Sequence, residues 1–330
     1  MGAATGRELK VAVVGATGAV GSQIVELINA RRLPFAEVGL FASVHGAAQS
    51  VEALGAERPV AELQDPAEIS RYDIAFLAVA PSWAADIIRA RPGPVLIDLS
   101  AGTRARSSVV PFIAPGFTPP ARIAELARHN GALAIAHPAA HVLASVVNAA
   151  DAKARTVCAT LMVGASRAGR QNVVEVAREA AALLSGAHSL EEGETQRAFN
   201  AYRAESATEL ADALAAQTQA LIGSAQRLLI EVVNVAVLHG SAMTVLIPDV
   251  ADTQNLAADL RAAPGLVVLE GGQENPSVVD AIGQEAVLVV VTLQPAGAAV
   301  WCAFDATRLA ALDAVWAAEK LAGAADPGAA

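Results

Sequence analysis

The chain has 330 residues, 54% of them hydrophobic and 17% charged, with a formal net charge of -10. That length suits two domains of ordinary size, and an acidic, charge-poor surface speaks against nucleic acid or an anionic membrane as partner. Its longest apolar runs, such as residues 286–293, fall far short of a bilayer span, and residues 1–10 hold no apolar signal-peptide core. The two cysteines, Cys158 and Cys302, both lie in strand-like runs, so no disulfide framework is indicated and a reducing cytoplasm is the expected setting.

Residues 10–14 read as a buried parallel strand, followed by Gly15-Ala-Thr-Gly-Ala-Val-Gly21 and an amphipathic helix over 22–31. Residues 38–42 give a second strand, and 74–79, 95–98 and 132–136 are further short apolar runs, with helical stretches between several of them. Such alternation implies a parallel sheet covered on both faces. Beyond His137-Pro138 the pattern changes. Residues 156–163 are β-branched and strand-like, 172–185 form a long helix with Glu175 and Glu179 on its polar face, and 206–224 form a helix of mostly Ala, Leu, Gln and Thr. Residues 232–238, 243–247, 286–293 and 300–304 read as strands. Long strands mixed with helices predict an open sheet with helices on one face, an α+β second domain. A last helix, about 307–321, is expected to pack back on the first domain, and the final residues to fray.

Gly15, Gly18 and Gly21 stand between a strand and a helix, the context a dinucleotide loop requires. The first permits a tight turn, the second lets the backbone approach a pyrophosphate, and the third lets helix and strand pack closely. Phosphates would then sit at a helix N-terminus, where N–H groups and the dipole favour anions. The end of the second strand, Phe41-Ala-Ser-Val-His-Gly46, has no carboxylate to hold a ribose 2′-OH; Ser43 and His45 are the polar side chains there, which leans toward NADP over NAD. The residues assigned to a nucleotide are Gly15, Thr17, Gly18, Ala19, Val20 and Gly21, with Ser43 and Gly164.

The run Val-Ala-Val-Val-Gly-Ala-Thr-Gly-Ala-Val-Gly from Val11 to Gly21 resembles the start of aspartate-semialdehyde dehydrogenases. Asp73-Ile-Ala-Phe-Leu, Leu96-Ile-Asp-Leu-Ser100, Ala198-Phe-Asn200 and Asn275-Pro-Ser-Val-Val-Asp-Ala-Ile-Gly283 extend the resemblance in order along almost the whole chain. It implies an α/β fold: a Rossmann-type, doubly wound parallel sheet over 1–137 with the C-terminal helix 307–330, and an α+β dimerisation domain with a mixed sheet over 138–306. It also implies a homodimer or a higher assembly built from that dimer.

The reaction that the resemblance implies needs a cysteine thiolate to attack an aldehyde, with hydride leaving for NADP and phosphate releasing the acyl group. The family's Ile-Ala-Asn-Pro-Asn-Cys is Ile135-Ala-His-Pro-Ala-Ala140 here, so Ala140 occupies the nucleophile's place. Val232-Val-Asn-Val-Ala-Val-Leu-His239 matches Arg-Val-Pro-Val-x-x-Gly-His: His239 keeps the acid/base position, while the arginine that grips the substrate carboxylate has become Val232. Thr160 aligns with the substrate-orienting glutamine, Ala306 with the asparagine that meets the nicotinamide, and Arg104 with a phosphate-binding arginine; the anion-binding lysine of the second domain has no counterpart. The chain thus resembles the Usg-type homologues, family members that lack the cysteine. His137, His141 and His239 all map to the vacated site, where three histidines could bind zinc. His137 precedes a proline, which works against a shared helix face, and hydrogen-bonded replacement residues with no metal are the preferred reading. Two functions compete: a non-catalytic dimeric paralogue that binds NADP or nothing, and a cysteine-independent NADP-dependent oxidoreductase acting on a small carbonyl compound. Residual aspartate-semialdehyde dehydrogenase activity is the third and weakest.

Overall fold

The computed structural model describes residues 9–31, 33, 35–44, 46–100, 111–151, 156–187, 194–250, 252–269 and 275–324. They divide into two compact units, Met1–Ala136 with Ala310–Ala330, and His137–Leu309.

The first unit runs β1 (Leu9–Val14), α1 (Ala19–Arg31), β2 (Phe35–Ala42), β3 (Ser50–Ala53), β4 (Ala56–Glu62), β5 (Ile74–Leu77), α2 (Pro81–Ala90), β6 (Val95–Asp98), β7 (Phe112–Ile113), α3 (Pro120–Asn130) and β8 (Ala132–Ile135). The sheet order is β3-β4-β2-β1-β5-β6-β8-β7. Every pairing is parallel except β3 with β4. The fully buried strands β5 and β8 explain the continuous apolar runs, since a parallel sheet is covered on both faces. On one side Phe41, Ile69, Tyr72, Leu77, Ile87 and Leu96 form a core cluster, with Phe41 edge-on to Tyr72 at 5.9 Å. Each such large apolar side chain contributes about 1.5–3 kcal/mol on burial. β1 lies between β2 and β5, where the strand order reverses, and that is where an open α/β sheet offers a crevice for ligands. Helix α1 starts at Ala19, ahead of the expected residue 22, because the Ser22 N–H already closes a turn on the Gly18 carbonyl at 3.0 Å.

The second unit runs α4 (Pro138–Ala149), β9 (Thr156–Val163), α5 (Arg170–Leu184), β10 (Ala201–Tyr202), α6 (Ala207–Ile222), β11 (Arg227–Val235), β12 (Ser241–Pro248), α7 (Thr253–Ala262), β13 (Leu266–Val268), β14 (Val287–Gln294) and β15 (Gly297–Phe304). The order is β10-β11-β9-β12-β15-β14-β13, a mixed sheet in which β11–β9 and β14–β13 are the parallel pairs. Helices α4 and α6 pack on each other and on this sheet. Strand alternation sets the two faces. Val157, Ala159, Leu161 and Val163 of β9 are buried, while Thr160 is exposed and Cys158 half-buried on the other side. α5 stands apart, packing Val176 against Ala165 and Ala198. Its Glu179 carboxylate accepts from the Arg197 and Ala198 backbone N–H groups, so the two acidic residues of the supposed solvent face hold the segment that follows. The last helix, α8 (Ala306–Ala324), starts on Asp305, whose carboxylate accepts from the Thr307 and Arg308 N–H groups at 3.0 Å. Its later residues Ala314, Val315, Ala317 and Ala318 are buried, and Glu319 pairs with Arg31 at 3.6 Å.

Candidate active site

The glycine loop joins β1 to α1 as the sequence requires. Gly15 has φ +91°, and a Cβ there would fall 2.2 Å from the Ala78 carbonyl oxygen. A Cβ on Gly21 would fall 2.0 Å from the Gly15 oxygen, so that glycine permits the close helix–strand approach. Gly18 differs: its φ is ordinary and a Cβ would stand 3.2 Å from the Gly15 oxygen and 3.9 Å from the Ala78 oxygen, close but without overlap. Packing alone therefore does not demand a glycine at position 18. The Gly15 and Ala16 N–H groups both donate to Phe41 O, and Gly18 donates to Gly15 O. Thr17 and the helix-start residues Ala19, Val20 and Gly21 have no such backbone acceptor among the described residues, and the first amides of a helix have none within it. Ser43, just past the end of β2, is exposed. Gly46 lies against Thr17, where a Cβ would come within 2.3 Å of Oγ1, a contact that no local pattern reports. His45 and Arg104 lie outside the described residues.

In the second unit the surroundings of Ala140, the residue aligned with the family's nucleophile, are well defined. His137 caps α4 with φ -60° and ψ 134°, and its Nδ1 accepts from the Ala139 N–H at 3.1 Å. Pro138, Ala139 and Ala140 open the first turn, and Ala140 has no solvent exposure. Its N–H donates to His137 O at 2.8 Å and its carbonyl accepts from Thr218 Oγ1 at 3.4 Å. The His137 N–H donates to Gln217 Oε1 at 2.6 Å. Gln217 and Thr218 are 4% and 0% exposed, two buried polar residues in a stretch of α6 that apart from Gln219 is Ala, Leu and Ile. Sequence reading passed over both, although adjacent polar residues on a helix of Ala and Leu were a signal. Burial, and then the Arg167 guanidinium, push the His137 imidazole down to a pKa of about 4.

Val163 at the end of β9 pairs with Ser241 on β12, and the loop after each strand meets the other. Gly164 N–H donates to Gly240 O, Ala165 N–H to Val237 O and Ser166 N–H to Leu238 O. This lattice brings Gly164 to the His239 loop, and a Cβ on Gly164 would sit 2.7 Å from Gly240 O. His239 itself is exposed.

Two expectations change. β11 spans Arg227–Val235, so the segment reaching His239 is a loop; residues 227–231 were hidden by the exposed Leu229 and Glu231. Thr160 cannot share a site with Val232. The register pairs Val232 with Leu161 and Thr160 with Glu231, which puts Thr160 on the opposite, open face. The β9 residue nearest the His239 loop is Val163. Cys158 is half-buried, whereas Cys302 is buried with its thiol pushed up to about 12 by burial. Among the described residues no three His, Cys, Asp or Glu side chains gather as a metal site, and His137 Nδ1 is engaged in capping.

The family model for the semialdehyde dehydrogenase NAD-binding domain matches residues 10–129. A USG-1 protein homolog from Pseudomonas aeruginosa is 31% identical over 338 residues, covering 95% of this chain and 97% of that protein. An aspartate-semialdehyde dehydrogenase from Synechocystis is 28% identical over 339 residues, with 95% and 97% covered. The solved structure of a probable aspartate-semialdehyde dehydrogenase from Pseudomonas aeruginosa superposes with a TM-score of 0.83 at 28% identity, covering 96% of this chain and 98% of the other. With a glycine loop at the switch point of a parallel sheet, a mixed-sheet second unit and relatives matched end to end, the chain belongs to the aspartate-semialdehyde dehydrogenase family.

Proposed function

We propose that this protein is a diverged, non-catalytic family member that keeps an NADP site and a dimeric assembly but has lost the thioester reaction. The observation that carries this is Ala140, a buried methyl group at the head of α4. Covalent attack on an aldehyde needs a lone pair on an activated nucleophile, and a methyl group has none. Neither cysteine can substitute. Cys302 is buried as a neutral thiol, and Cys158 lies on the open face of the sheet, away from the side of Val163 and Val232. The carboxylate clamp is gone as well, since Val232 is 3% exposed and apolar.

The glycine loop fits a dinucleotide on its own geometry. Thr17, Ala19, Val20 and Gly21 offer amides not spent on the loop, and the bare backbone at Gly18 would let a ligand approach closely. NADP, when bound, supplies a hydride carrier. Ser43, with no carboxylate beside it in Phe41-Ala-Ser-Val44, supports NADP over NAD. The open face of the second sheet supports a homodimer. Leu229 and Leu246 there are 63% and 43% exposed, side by side across Cys158, and a contiguous apolar patch of that kind marks an interface.

The test is purified protein with aspartate semialdehyde, phosphate and NADP, alongside calorimetric titration with NADP and NAD. Nucleotide binding with NADP the tighter, and no NADPH burst, is the expected result. NADPH formation above background that is abolished by His239→Ala would overturn it. A second reading, a cysteine-independent reductase of small carbonyl compounds, is favoured by one observation: His239 is exposed and its ring has no hydrogen-bond partner among the described residues. Carbonyl-dependent NADPH consumption lost in His239→Ala would select that reading instead.

A further inference from the structure

A cavity of about 140 Å3 opens in the second unit between the end of β9, the start of α5, β10 and the end of β11. One water needs only about 10–15 Å3 on the same measure, so the space holds a small molecule. Three polar side chains line it without a hydrogen bond or ion pair among the described residues: the Arg167 guanidinium, the Tyr202 hydroxyl and the Asn234 amide. A second guanidinium, Arg197, also lines the cavity but is engaged by Asn172 Oδ1 at 3.0 Å and Glu175 Oε2 at 3.2 Å. No carboxylate is among the lining residues. One positive charge in the pocket is therefore left uncompensated among the described residues.

The positions of these groups matter. Asn234 pairs across strands with both Val163 and Tyr202. It stands where the resembled segment has proline, two residues along β11 from Val232, and so points to the same side of the sheet about 7 Å away. Arg167 comes from the loop tied to the His239 loop through Ser166. More than a third of its surface remains open, yet surrounding protein lowers its pKa. Removing a cation from water without a partner is costly, and an oxyanion relieves that cost with charge-assisted bonds to a planar five-donor fork.

We propose that this cavity binds a small oxyanion, a carboxylate or a phosphate group, held by Arg167 with the Tyr202 hydroxyl and Asn234 amide as neutral donors. The chain has lost its cation at position 232 and presents another from the 164–169 loop. The site lies within one unit and stands whether or not the glycine loop binds a nucleotide.

The experiment is isothermal titration of the full-length protein, in chloride-free buffer, with inorganic phosphate and separately with succinate. At least one should bind saturably with a Kd in the millimolar range or tighter, and which one saturates identifies the group. Arg167→Gln should weaken that binding by at least about tenfold and Tyr202→Phe by a smaller factor. Arg170→Gln, an exposed arginine outside the cavity lining, should leave it unchanged. Because the Arg167 guanidinium makes no hydrogen bond or ion pair within the described residues, the thermal midpoint of Arg167→Gln should not fall below that of the parent. Failure of both anions to bind, or equal binding by parent and Arg167→Gln, overturns the proposal.

Discussion

The backbone N–H of His137 donates to Gln217 Oε1 at 2.6 Å, joining the head of α4 to the middle of α6. The bond is buried, with Gln217 4% exposed. Gln217→Leu keeps the volume roughly and removes the acceptor. An N–H left unpaired in the interior costs about 1–3 kcal/mol, and that loss is expected in urea denaturation. A change under about 0.5 kcal/mol would mean that water or a shifted cap serves the His137 amide.

His137 also sets a pH dependence. Burial first, and Arg167 second, lower its pKa from 6.5 to about 4 in the folded protein. Between those values the unfolded chain binds a proton that the folded chain does not. Stability from this group is therefore fully present above about pH 6.5 and is lost as pH falls toward about 4. The total is on the order of 3 kcal/mol at 1.36 kcal/mol per unit. Protonation would also remove the Nδ1 acceptor of the Ala139 N–H. His137→Asn keeps a capping acceptor without titrating. Its stability curve is expected to be flatter than that of the parent across this window; parallel curves would show that His137 is not the buried neutral group described here.

The sequence made the parallel core easy to read and the site only partly so. Residues 95–98 and 156–163 were found with their observed bounds, because continuous or β-branched apolar runs leave little choice. The β3–β4 hairpin was missed. It is short, polar and at the sheet edge, with Glu52, Glu57, Arg58 and Pro59 in its strands. Ala140 was matched to the nucleophile's position only through the likeness of Ile135–Ala140 to the family's motif. Gln217 was not, since its partner lies 80 residues away and no local periodicity reports that pairing. Arg167 was passed over for a similar reason: a lone cation in a loop has no pattern, and only the cavity gives it meaning.

The glycine loop offers a test that separates ligand binding from a retained turn. Gly21→Ala would drive a methyl to 2.0 Å from Gly15 O and is expected to unfold or strongly destabilise the first unit. Gly18→Ala meets backbone oxygens at 3.2 and 3.9 Å, without overlap, so stability should change by less than about 1 kcal/mol. If NADP approaches the backbone there, its affinity should fall at least about tenfold, or 1.4 kcal/mol. Unchanged NADP affinity in a folded Gly18→Ala protein would remove position 18 from the binding site.

The open sheet face predicts the effect of a charge on assembly. Leu246 is 43% exposed and directly opposite Cys158, which in turn is opposite Leu229. A buried, unpaired guanidinium at a dimer interface is strongly unfavourable. Leu246→Arg should therefore shift sedimentation from dimer to monomer while leaving the fold intact. Cys158 should alkylate slowly in the parent protein and quickly in that variant. A parent chain that sediments as a monomer of 33.5 kDa, or a Leu246→Arg protein that stays dimeric, would rule this face out.

Restoring the nucleophile should not restore the enzyme. Ala140→Cys would place a thiol in the first turn of α4, where the helix dipole favours thiolate. Against this, Ala140 has no exposed surface, and burial raises a thiol pKa, as at Cys302, which it pushes up to about 12. The dipole effect is of order 0.3–1 kcal/mol near a surface, and full burial of a charge costs several. Burial should win, so the new cysteine stays a neutral thiol and resists iodoacetamide. Adding Val232→Arg to rebuild the clamp would set a guanidinium at a site that is 3% exposed on the helix-covered face. Without a carboxylate beside it, that change should destabilise the protein by several kcal/mol. Aldehyde-dependent NADPH formation should stay at background in both the single and the double variant. A turnover near the ordinary enzyme value of about 10 per second in Ala140→Cys alone would mean that the position opens to substrate, and that only the missing sulfur separates this chain from its catalytic relatives.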